Sequence, residues 1–238
     1  LYSSAASDVY KRQPIQYVGG EYNSIVKEWQ DVDVRWVLMY PDAYEVGQPN
    51  QGVAILYEVL NERDWILAER TYSVWPDMEK QMRAAGIPQF TLDGHRPVRD
   101  FDIMSVSLST ELGYTNMLNA IDLAGIPVRQ ADRTDTDPIV LIGGHAAFNP
   151  EPVADFIDAA VLGDGEEACL EISEIIRDWK KEGCPGGREG LLVRLAATGG
   201  IYVPSFYDVE YLDDGTIGKV APNRLEAPYT CLLYTSPS

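Results

Sequence analysis

Cysteine, histidine and positive charge are what this sequence has least of. Its 238 residues include three cysteines, two histidines, and 19 Lys plus Arg against 37 Asp plus Glu, for a formal charge of −18. Cys169, Cys184 and Cys231 are too few and too scattered for a disulfide framework or a paired-cysteine metal site. Neither His95 nor His145 has a Cys or carboxylate partner at ligand spacing, and no Ser-His-Asp or Cys-His pairing can be argued. The acid excess removes the phosphate-neutralising grip that general nucleic-acid binding needs. No apolar run approaches the ~20 residues that span a bilayer. No GxGxxG follows the first apolar strand, which counts against a dinucleotide site and weakens the reading of a stand-alone flavodoxin-like nucleotide binder. What remains is an acidic protein, expected in the cytoplasm. It is 45% hydrophobic, enough for a packed core, and its length suits one full domain and part of another.

Between its ends the chain alternates short apolar runs with helical patterns. Residues 32–40, 67–75, 101–109, 138–144 and 159–165 read as strands; residues 52–63, 76–86, 114–125 and 166–183 read as helices. Residues 76–86 have Pro at the start and Gly at the end, the usual helix asymmetry. In residues 52–63 the apolar positions 53, 55, 56, 59 and 60 mark one helix face. This order implies βαβ units and an α/β fold, a flavodoxin-like or Rossmann-like open parallel sheet of order 2-1-3-4-5. After Gly190 the pattern becomes apolar–polar alternation around Asp213-Asp214-Gly215, a β-hairpin extension. The expected organisation is an α/β domain over 14–190, then a hairpin and linker over 191–230. Residues 1–13 and 231–238 fit neither part and read as translated sequencing-adapter sequence, so the natural chain is expected to extend past both ends.

In such sheets ligands sit beyond the carboxyl ends of the strands, where the strand order reverses. The loops gathered there are 41–51, 109–113, 143–151 and 163–167, most of them Gly-rich or strongly polar. The first, "YPDAYEVGQPNQG", is the longest.

Five segments together resemble the amino-terminal part of a family of cobalamin-binding-like radical SAM proteins. They are "YVGGEYNSIVKEW", "VLMYPDAYEVGQPNQG", "ILYEVLNER", "IGGHAAFNPEPVADFIDAAVLGDGEE" and "GIYVPSFYDVEY", spread over most of 17–230. The resemblance implies an α/β domain of the cobalamin (B12)-binding type ahead of a radical SAM barrel. In such proteins the barrel holds a [4Fe-4S] cluster through CxxxCxxC and cleaves S-adenosylmethionine. This chain has no CxxxCxxC, so the cluster ligands are expected outside it. Cobalamin-binding domains of methionine synthase type carry DxHxxG in the first strand–helix loop, with the His under the cobalt. Here the matching six residues, Asp42 to Gly47, read DxYxxG, with Tyr44 at the His position. A phenol of pKa about 10 is a poor cobalt donor. If cobalamin binds, it is expected to bind without a histidine beneath the metal.

The residues expected to bind cofactor or substrate are Asp42, Tyr44, Glu45, Gly47, Asn50, Gly143, Gly144 and Asn149; none is expected to be catalytic or to hold a metal. Plainer readings stand beside these. The DxYxxG loop also reads as surface chain whose Asp and Gly shape turns. Gly143-Gly144 also reads as a sharp strand exit. Asp164 and Glu167 read as the N-cap and N3 of a helix, or as a ribose contact. Two functions follow: a corrinoid- or substrate-binding domain beside the barrel, or a non-catalytic interaction domain that has lost its corrinoid and packs on the barrel.

Overall fold

A computed structural model describes residues 14–228; the adapter-like calls at 1–13 and 231–238, with Cys231, lie outside the described residues. Strands β1 (Val34–Tyr40), β2 (Ile66–Tyr72), β3 (Ile103–Ser107), β4 (Ile139–Gly143) and β5 (Ala159–Val161) pair in parallel in the order 2-1-3-4-5. A short sixth strand, β6 (Ile201–Tyr202), joins β5 antiparallel. The helices are α1 (Gln51–Asn61), α2 (Pro76–Ala85), α3 (Tyr114–Leu123), α4 (Gly165–Lys181) and α5 (Gly187–Ala196).

The apolar runs are continuous because the sheet is buried on both faces. On β1, Val34, Trp36 and Leu38 belong to one core, with Val53 and Leu60 of α1, Ile172 and Ile176 of α4, and Leu191 and Leu195 of α5. Val37 and Met39, one residue out of phase, belong to the other core with Met104, Val106, Met117 and Ile121. Trp36 is fully buried, and its indole N–H donates to Ser173 Oγ of α4 at 2.9 Å. The buried face of α1 differs from the sequence expectation. It runs through Val53, Tyr57 and Leu60, while Ile55 points to solvent. Helix α5 and strand β6 were not foreseen; Leu191, Leu192 and Leu195 carry the first core beyond residue 190.

Charge is buried at the amino ends of β4 and β5. Asp158 accepts from Arg133 at 2.7 Å and from Arg188 at 2.6 Å, and also from the Val140 backbone N–H at 2.7 Å. Both guanidiniums also donate to carbonyls, among them Phe156 O and Asp137 O. Asp158→Ala leaves two buried guanidiniums without their counter-ion, so it is expected to cost about 3–5 kcal/mol, read as a fall in the urea midpoint.

The free edge of β2 is covered by the segment that follows α2. Leu92 N–H donates to Arg70 O at 2.8 Å, and the Gln89 amide donates to Tyr72 O at 2.8 Å. Beneath it the buried carboxylate of Glu69 accepts from the Thr91 hydroxyl, and from Gly94 N–H at 3.2 Å. Burial pushes the Glu69 carboxyl above the ordinary glutamate value, while the Thr91 hydroxyl and Gly94 amide pull it back. The folded state therefore holds this proton more tightly than the unfolded chain. Glu69 contributes stability that is fully present below the unfolded glutamate pKa, about 4.3, and lost as pH rises through its folded value. As pH rises above the unfolded glutamate pKa, about 4.3, Glu69→Gln is expected to lose less stability than the parent, measured as urea midpoints. Parallel profiles would contradict this.

The expected hairpin forms between β7 (Tyr207–Tyr211) and β8 (Ile217–Pro222). Tyr207 packs against both cores, while Tyr211 at the far end of β7 is exposed.

Candidate functional site

The carboxyl ends of β1 and β3 part where the chain leaves in opposite directions, and a cleft of about 220 Å³ opens there. Tyr40, Asp42, Ser107, Ser109, Thr110 and Asn116 line it. Tyr40 lies with its hydroxyl 3.3 Å from Ser109 Oγ, to which it donates, and the Asn116 amide donates to Pro41 O at 2.9 Å. The lining is mostly hydroxyl and amide, which suits orienting a small polar group rather than proton transfer.

Of the eight residues expected from the sequence, Asp42 lines this cleft, and its carboxylate also accepts from the Ala43 N–H at 2.7 Å. Tyr44 turns toward the β2 edge, its ring 5.6 Å from that of Tyr72 in edge-to-face contact. Burial and then the Glu21 carboxylate push its phenol above the ordinary tyrosine value, away from the phenolate a metal would need. Glu45 accepts from the Gln16 amide at 2.8 Å. Asn50 caps α1, its Oδ1 accepting from Val53 N–H at 3.0 Å. Gly144 adopts φ +94°, and a Cβ there would lie 2.8 Å from Leu108 O; Gly143 has open space beside it. Asn149 is exposed, and its carbonyl accepts from the Tyr114 hydroxyl at 3.4 Å. Asp164 occupies the N-cap position of α4 without making the side-chain bond. His145 is exposed on the loop after β4, with its ring edge-on to Phe148 at 6.5 Å.

Ser109 and Thr110 lie in the 109–113 loop expected at the switch point and Tyr40 opens the stretch quoted there, whereas Ser107 and Asn116 were not singled out from the sequence. The signal present was the Ser/Thr run "SVSLST" at a strand end. At this end of the sheet the segments after β1, β3 and β4 present Val46, Leu112 and Phe148, which are 50%, 87% and 56% exposed, and Leu112 lines the cleft.

A corrin ring with its nucleotide tail is larger than this cleft of about 220 Å³ and would have to lie largely over it. For a cluster, no group of three or more His, Cys, Asp or Glu stands together among the described residues. Burial pushes the Cys169 thiol up to about 12, so it does not offer a thiolate, and Cys184 is exposed after α4.

Gly47 has a packing role. A Cβ at this position would lie 2.3 Å from the Tyr72 ring. Gly47→Ala is expected to destabilise by about 1–3 kcal/mol through overpacking. Tyr72→Leu is expected to relieve part of that cost, and a double-mutant cycle in urea measures the coupling.

Searches of curated proteins and of solved structures returned no match to the chain. The profile of one family, described as "Radical SAM proteins, N-terminal", matches residues 52–204. That span is more than half of the chain and runs from the start of α1 to just past β6, leaving out β1, so the chain belongs to the family of radical SAM protein N-terminal domains.

Proposed function

We propose that this chain is the accessory α/β domain of a radical SAM enzyme, carrying no corrinoid, that packs its strand-end face against the rest of the enzyme. The [4Fe-4S] cluster and S-adenosylmethionine that the family implies would be held by residues outside it, where the bound cluster would supply the electron for cleaving S-adenosylmethionine. The observation that carries the reading is the presence of exposed apolar residues and a small polar cleft at the same end of the sheet. Val46, Leu112 and Phe148 stand exposed on three separate loops at the end of the sheet where α/β proteins meet their ligands. Isolated exposed apolar residues need no explanation; in this reading three on one strand-end face, with Leu112 lining the cleft, form the rim of a contact surface. Packed against a neighbouring domain, this rim excludes water from the hydroxyl-lined cleft, which then orients a polar part of the substrate. The DxYxxG loop serves as structure in this reading: Tyr44, Gly47 and Asn50 hold the loop against β2 and α1.

The corrinoid reading and this one separate in the full-length parent enzyme. After incubation with hydroxocobalamin and desalting, no corrinoid absorbance is expected to stay with the protein; stoichiometric retention would contradict the proposal.

Leu112→Asp with Phe148→Asp is expected to leave the stability of the chain within about 0.5 kcal/mol, because both side chains are exposed. In the parent enzyme the same pair is expected to lower turnover while the iron content stays at the wild-type level.

A further inference from the structure

The opposite end of the sheet, near the amino ends of the strands, carries a second recess of about 860 Å³, lined among others by Trp29, His95, Arg96 and Arg99. We propose that it is a binding site for a compact oxyanion, the phosphate or carboxylate group of a small molecule. The inference is independent of the docking reading.

Two guanidiniums, those of Arg96 and Arg99, line the recess, and a third, that of Arg35, stands beside it on Trp29, in a chain with a charge of −18. Arg35 and Arg96 each lie over the Trp29 ring, their guanidinium carbons 4.5 Å from its centroid. Trp29 is itself fixed edge-on to Phe101 at 5.0 Å. Arg35 spends its terminal donors within the protein, on Trp29 O at 2.7 Å and Val32 O at 3.1 Å. Its Nε is buried with no partner among the described residues. The Arg96 guanidinium has no hydrogen bond or ion pair to any described residue. Its charge is felt by the buried Glu69 carboxylate, which is already held by Thr91 and Gly94. Arg99 holds Asp137 through one nitrogen at 2.8 Å and is otherwise exposed. A stacked guanidinium with free donors is fixed in orientation, and its planar fork matches the two oxygens of a carboxylate or phosphate.

The loop presenting these groups is built to one shape. Glu69 presses so closely on Gly94 that a Cβ there would lie 2.3 Å from the carboxylate. Arg96 N–H donates to Thr91 Oγ1 at 3.1 Å, and Thr91 N–H donates to Arg96 O at 3.0 Å. His95, between them, is held exposed at φ +52°, a conformation uncommon for a residue with a side chain. Backbone strain held in place by its surroundings clusters at ligand clamps and other functional sites.

Two carboxylates share the recess and limit what it takes. Asp102 is engaged by Lys180 at 2.7 Å and by the Arg35 N–H at 2.8 Å. Asp100 is exposed at the rim, where it opposes extended polyanions and leaves room for a compact anion.

The test is calorimetric titration of the chain with inorganic phosphate and, separately, with citrate, each against sodium chloride of matched ionic strength. Saturable binding is expected for at least one anion, weakened at least ten-fold in Arg96→Gln and less in Arg96→Lys. The anion that binds tells phosphate from carboxylate. Nitrogen-15 NMR of the unmutated chain gives a readout that does not depend on a variant's folding: the Trp29 indole and His95 amide signals are expected to move with the bound fraction. No saturable heat with either anion would overturn the proposal, as would equal affinity in Arg96→Gln or shifts that avoid these residues.

Discussion

Strand β1 is buried on both faces, and the rest of the molecule is arranged around that constraint. With Trp36 and Leu38 in one core and Val37 and Met39 in the other, neither face of the central sheet is free for chemistry. Polar function is forced to the two ends of the strands, where the chain has to turn and its backbone groups need partners. At the carboxyl end this produces the hydroxyl-lined cleft and its apolar rim. At the other end it produces the arginine recess on Trp29.

The loop after β1 shows how one local sequence serves either a ligand or the fold. Its Asp-x-Tyr-x-x-Gly pattern has the spacing of a cobalt-binding loop, yet its Tyr and Gly are taken up by neighbours, as is Asn50 just beyond it. Tyr44 packs edge-on to Tyr72, Gly47 makes room for the same ring, and Asn50 caps α1. Asp42 alone keeps its place on the cleft. Deleting the ring of Tyr72 would disturb both contacts together, so loop and β2 edge behave as one packed unit.

The fold was legible because periodicity reports burial. Five runs with apolar residues on both parities, separated by helical patterns, suffice to predict parallel strands and their order. Helix α5 escaped because its run, "GREGLLVRLA", sits beside several glycines and carries its apolar residues in a short cluster. Strand β6 escaped because two residues make no pattern. The site was half legible. Its position followed from topology, but the lining depends on which side chains turn inward. Tyr44 and Glu45 have the right chemistry in the right loop and turn away, toward Tyr72 and Gln16, because those partners come from distant segments. The arginine recess was hidden for the same reason: Trp29, Arg35, Arg96 and Arg99 meet only in three dimensions.

The central claim is that the strand-end face is a contact surface within a larger radical SAM enzyme. Amide hydrogen exchange over residues 41–50, 108–113 and 144–149, compared between this chain alone and the full-length parent, tests it most directly. Slower exchange in all three loops of the parent, with the amino-end recess unchanged, is the predicted result. Equal exchange in the three loops would contradict the account.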